Sequence, residues 1–337
     1  MRPARPVPAP VDPAPHLWEQ AAALCVILML TGALIGPIFA PTQEETPILR
    51  LVWLPVYGVI AGLLLYRFER VLAAWPAWIV LGLLVLLVFA SRYWSIDPAT
   101  TTRRVIALAL SGSFAMYLGT VFGGRHLPRL LAHGALLMGV GSLVMIAAFP
   151  AIGIHQDVNA GLWRGLWYEK NQMGFVMVAG AIGAAACLAQ DPEPGQPRRW
   201  MAPAAALLLA TVLVLGTQSK TSLLCLMGGC GLIGGLWALR RGGPVFSVVM
   251  VWLGVVAAAV GVELWMTESA EILTALGKDP SLTGRTDIWE SLMRRVSERP
   301  WTGFGYSAFW GLDSTPAAYV RMETGWLVPS AHNGWID

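Results

Sequence analysis

Three short polar motifs hold the residues best able to do chemistry: Tyr168-Glu169-Lys170-Asn171, Gln218-Ser219-Lys220-Thr221, and a late segment from Leu282-Thr283-Gly284-Arg285 to His332-Asn333. Each borders a long apolar run. Cations and hydroxyls gathered at one mouth of a helical bundle suit an anionic substrate carried by a lipid. In the first motif region Arg164 and Lys170 are candidates to bind phosphate oxygens, and Asn171 to orient a sugar hydroxyl or cap the following helix. The start of that helix would add partial positive charge. In the second, a tight turn holds Lys220 at the bundle mouth, where a low dielectric strengthens its pull on an anion. His332 is the group best suited to accept a proton near neutral pH. Blander readings stay open for each: an aromatic belt with snorkelling cations for 162–174, an ordinary polar turn for 216–222, and a plain loop histidine for His332.

The surrounding elements are read from hydropathy. Only 13 % of residues are charged and 56 % are hydrophobic, with 36 Gly and 16 Trp. The mean hydropathy is +0.60. Soluble domains are about 25 % charged, so the bilayer must be the solvent for most of this chain. A spanning helix needs about 20 apolar residues. Nine such runs lie near 20–40, 47–66, 71–90, 104–122, 129–150, 172–190, 200–217, 221–239 and 245–266. The fold expected is all-α, a polytopic transmembrane helix bundle. With the N-terminus inside, the inner segments hold ten Arg and the short outer loops seven Arg or Lys, with the long tail left uncounted. That bias puts 151–171, 217–221 and everything from 267 onward on the outer side, where all three motifs then face one way.

Three segments are expected: a disordered cytoplasmic tail over 1–16, the bundle over 17–266, and a periplasmic loop over 267–337. The stretch 191–199 reads as a flexible inner linker. Within the late loop an amphipathic helix is predicted near 287–298, with Asp287 as N-cap, Trp289, Met293 and Val296 on one face, and Pro300 ending it. The four cysteines sit in apolar stretches without metal-ligand spacing, so no metal site is expected. With three lysines and no basic tract, nothing points to nucleic acid. A secondary transporter would show ionisable groups deep in its spans, and these spans are nearly free of them. A scaffold for a polysaccharide export complex is compatible with the sequence but leaves the three groups of cations unexplained.

The ordered set WRGLWYEKNQMG, TQSKTS, LTGRTDIWESLMRRVSERPWTGFGYSAFW and AHN resembles the O-antigen ligase and polymerase superfamily, closest to its exopolysaccharide-polymerase branch. The resemblance covers about residues 160–337. It implies an inner-membrane glycosyltransferase with about a dozen spans and a large periplasmic loop, working without metal or cofactor. Such an enzyme moves a glycan from an undecaprenyl-pyrophosphate carrier to the hydroxyl of an acceptor glycan, with membrane lipid and polysaccharide export machinery as surroundings. On that resemblance Arg164, Lys170, Lys220 and Arg285 would hold the pyrophosphate, Asn171 and Asn333 would assist binding, and His332 would deprotonate or orient the acceptor. Lys220 stands where many relatives have Arg, and Glu169 where many have His. Relatives also continue into further spans after the His-Asn pair, so a truncated chain is expected.

Overall fold

The computed structural model describes residues 14–35, 38, 47–157, 159–192, 200–275 and 285–337. The proline-rich start up to residue 13, linker residues 193–199 and Leu282-Thr283-Gly284 lie outside the described residues. Among the described residues, regular structure is helical apart from one isolated antiparallel bridge, Ile154 with Trp163. Six helices are long and apolar enough to cross a membrane, and three shorter apolar helices accompany them. The chain is thus an all-α, multi-pass membrane protein, and each of the nine apolar runs contributes helix.

Two compact units divide the chain, one of Met1–Trp75 with Ser113–Arg241, the other of Pro76–Gly112 with Gly242–Asp337. The first unit is built around α6 (His126–Ala148), α8 (Lys170–Ala189), α9 (Met201–Thr217) and α10 (Lys220–Arg241). Its packing relies on small residues, the usual way for helices to approach closely where lipid gives no hydrophobic drive. A methyl at Gly180 of α8 would sit 2.1 Å from Ala135 Cβ of α6, and one at Gly183 would sit 2.8 Å from Leu131 Cβ. These contacts run antiparallel. On its other side α8 runs parallel to α10, with Gly174 against Ser222 and Ile182 against Gly229. Trp167, Met173, Met177, Leu213 and Val214 fill the core between them.

The first apolar run is not one continuous span. Helix α1 covers Leu17–Leu30. Gly32 and Leu34 then take positive φ values of 78° and 66°, and Leu34 N–H donates to Leu166 O at 2.7 Å. Trp167 Nε1 donates to Thr31 O at 3.0 Å. The WRGLW segment therefore accepts the broken end of α1 and satisfies backbone groups that a hydrocarbon setting would leave unpaired. Near the start of α1, buried Glu19 takes two bonds from Arg67 at 2.8 and 2.7 Å. Tyr117 Oη donates to it at 3.1 Å. Arg67 follows α2 (Pro47–Tyr66) and precedes the short α3 (Phe68–Leu72); Tyr117 lies on α5 (Pro98–Val121). A buried carboxylate is tolerated because it is paired in this way.

In the second unit, α4 (Trp75–Ala90) and the first half of α5 precede α11 (Gly243–Ala275), α12 (Arg285–Glu298) and α13 (Thr315–Thr324). The expected amphipathic helix is α12, but two details differ. Arg285 and Thr286 are already helical, so Asp287 is no N-cap. Its buried face is Ile288, Ser291 and Leu292, while Met293 is 54 % exposed. The core forms where Ile288 and Leu292 meet Val320, Val328 and Ala331. Helix α13, unforeseen from sequence, has Ser314 as N-cap, its hydroxyl accepting from Ala317 N–H, and Gly325 in the left-handed region behind it.

Candidate functional site

The first two motifs come together at one end of the first unit. Because α8 and α10 run parallel, Lys170 and Lys220 each stand at the first position of a helix on the same end of the packed core. A methyl at Gly174 would fall 2.3 Å from Ser222 Oγ, so the two helix starts touch. Trp163 N–H donates to Gly216 O at 3.1 Å, and the indole covers Gly216 closely enough to exclude any Cβ there. That contact ties the loop before α8 to the turn before Lys220.

Within the turn, most hydroxyls serve the backbone. Thr217 Oγ1 donates to Val214 O at 2.6 Å and accepts from Ser219 N–H at 3.0 Å, and Ser222 Oγ donates to Ser219 Oγ at 2.9 Å. Thr217, Ser219 and Ser222 are buried, while Lys220 and Thr221 are exposed. The exposed side chains of this motif are thus Gln218, Lys220 and Thr221. Gln218 closes α9 in the left-handed region, φ 50°.

Arg164 is half-buried. Its Nε donates to Ile152 O at 2.7 Å and one Nη to Ala151 O at 3.4 Å, and the guanidinium lies 5.9 Å from the Tyr168 ring centroid. It secures the last carbonyls of the short helix α7 (Pro150–Gly153) and shapes the loop that leads to Lys170. Asn171, the second residue of α8, is exposed.

His155 is the residue that the sequence reading missed. It is 1 % exposed. Its Nε2 accepts the Lys170 backbone N–H at 3.1 Å, which assigns the ring proton to Nδ1, 3.4 Å from Asp157. The Glu169 carboxylate lies 3.9 Å from Nε2. The imidazole thus caps α8 from fifteen residues upstream, satisfying one of the N–H groups left over at a helix start. Asp157 has its pKa lowered chiefly by the Asn159 backbone N–H, with the facing His155 adding to it.

The second unit holds the remaining candidates. Arg285 lies on α12 and is exposed. One turn further on, Trp289 Nε1 donates to Ala331 O at 2.9 Å, which moors the loop carrying His332 and Asn333 to this helix. Ala331 N–H donates to Asp337 Oδ1 at 2.8 Å, and Asp337 Oδ1 also accepts from Trp310 Nε1 at 2.6 Å. His332 is exposed and held at φ 52°, a conformation that non-glycine residues seldom adopt and that often marks a functional position. Asn333 Oδ1 accepts Trp335 N–H at 3.1 Å and so shapes this loop.

The two lysines of the first unit share a position. Lys170 and Lys220 are each the first residue of their helix. A cation is intrinsically disfavoured there by the helix dipole, worth about 0.3–1 kcal/mol at a surface. An anion held between the two lysines removes the conflict.

Residues 205–337, which carry the second and third motifs, match the O-antigen ligase family. The match covers less than half of the chain, and with the relative below it agrees with the resemblance of the sequence motifs to the O-antigen ligase and polymerase superfamily. The chain is 29 % identical over 269 residues to the exopolysaccharide production protein ExoQ of Rhizobium meliloti (strain 1021), an alignment covering 76 % of this chain and 58 % of that relative. No solved structure matches the chain.

Proposed function

We propose that the protein transfers a glycan from an undecaprenyl-pyrophosphate carrier to a sugar hydroxyl, extending an exopolysaccharide at the extracytoplasmic face of the bacterial inner membrane. The observation that carries this reading is the placement of Lys170 and Lys220 side by side, each at the start of its helix. Diphosphate is already a competent leaving group. The work left to the protein is to neutralise charge growing on it and to position the acceptor. Lys170 and Lys220 bind its oxygens, and Asn171 offers its exposed amide to the sugar. Arg285 serves the same transfer, and His332 takes the proton of the attacking hydroxyl while Asn333 sets the loop that presents it. A single displacement of this kind inverts the anomeric centre. Arg164 contributes through the shape of the loop before Lys170.

Ligation of a finished glycan to a lipid A core is the second reading, favoured by the O-antigen ligase match over 205–337. The test is glycan analysis in a strain lacking the gene, complemented with the full natural gene or with Arg285→Ala or His332→Ala. A polymerase leaves single repeats on the carrier when disabled; a ligase leaves whole polymers there. Each variant should lower polymer yield about 100-fold or more, at unchanged protein level in the membrane. Normal polymer from both variants overturns the assignment.

A further inference from the structure

A second basic site lies at the opposite end of the first unit, far along α8 and α10 from Lys170 and Lys220. A cavity of about 300 Å³ opens there, lined by Arg125, Asp191, Trp237, Arg240 and Arg241 among others. Arg125 donates to the Asp191 carbonyl at 2.8 Å. Arg241 reaches Asp191 Oδ1, also at 2.8 Å, and its guanidinium lies 4.9 Å from the Trp237 ring centroid. Three arginines thus line a cavity that holds one carboxylate, and that carboxylate is 77 % exposed, so its pairing with Arg241 is weakened by solvent. Arg240 has no ion pair among the described residues. The end of α10 favours Arg240 and Arg241 through its dipole, but Arg125 is the N-cap of α6, where a cation is disfavoured. Along α10, Leu232, Leu236 and Arg240 share a face at four-residue spacing, and the two leucines are 64 % and 46 % exposed. An apolar track thus leads down to the basic notch, beside an interfacial tryptophan.

We propose that this notch binds the phosphate head group of an anionic glycerophospholipid, with an acyl chain lying along Leu232 and Leu236. The site is separate from the transfer site and does not depend on the reading given to it. One phosphate would meet Arg125, Arg240 and Arg241 in the cavity that they line together with Trp237.

The test is native mass spectrometry of the full protein released from nanodiscs containing equal phosphatidylglycerol and phosphatidylcholine. Wild type should retain phosphatidylglycerol preferentially. Arg240→Ala with Arg241→Ala should weaken that retention about fivefold per arginine, and the matching double Lys variant should keep most of it. Asp191→Asn should strengthen retention, whereas a purely structural role for the Asp191 contacts would make it neutral or harmful. Equal retention of both lipids by wild type, undiminished preference in the double Ala variant, or weaker retention in Asp191→Asn each overturns the proposal. Displacement of phosphatidylglycerol by millimolar inorganic phosphate would also overturn it, by making free phosphate the ligand.

Discussion

At residue scale the most telling contact is His155 with the Lys170 backbone. Removing the ring leaves a helix-start N–H in a buried setting, which costs about 1–3 kcal/mol. We expect His155→Ala to lower the unfolding temperature in detergent and to cut polymer yield, and His155→Gln to restore much of both, since its Oε1 reaches where Nε2 stood. Equal loss in both variants would show that the acceptor atom is irrelevant. Asp157 gives this loop a pH dependence. Its folded pKa lies below its ordinary 3.8, so its stabilising contribution is complete above that value and is lost as pH falls through the lowered one. Asp157→Asn should flatten the acid limb of a pH–stability curve below about pH 4 and leave the neutral region little changed. Lys170 and Lys220 stand out in the sequence because each follows a polar motif at the start of an apolar run, and the structure puts both at helix starts. His155 was not, because its partner lies fifteen residues away and meets it only when Ile154 pairs with Trp163.

At the scale of elements, hydropathy located the helices well because lipid forces every span to satisfy its own backbone. It failed where the chain answers to a local partner. The run at 20–40 breaks after Leu30 because Leu166 and Trp167 take over its backbone bonds, which no window average reveals. Helix α12 was found, but its buried face was misassigned toward Met293 since the true contacts come from Val320, Val328 and Ala331. Helix α13 had legible signals in Ser314, Pro316 and Gly325. Close contact of α8 with α10 yields a direct test. Gly174→Ala would put a methyl 2.3 Å from Ser222 Oγ, and overpacking of this kind costs about 1–3 kcal/mol. Gly228→Ala meets nothing within 4 Å. We expect the first to lower the unfolding temperature and polymer yield and the second to change neither. Equal behaviour of the two would mean that the helix starts are not held together.

At the scale of the whole molecule, the first unit has two unlike ends: helix-start lysines at one, and at the other a cluster of arginines. Loop charge predicts that the lysine end faces outward. The decisive measurement is labelling by a membrane-impermeant maleimide in cells, with the four native cysteines replaced by alanine. Thr221→Cys, exposed beside Lys220, should react in intact cells once the outer membrane is opened, and a short-chain polyprenyl diphosphate should slow it. Arg240→Cys should react only after the inner membrane is permeabilised. Thr221→Cys that stays silent until permeabilisation, or reacts at one rate with and without the diphosphate, would contradict a diphosphate-binding mouth on the outer face.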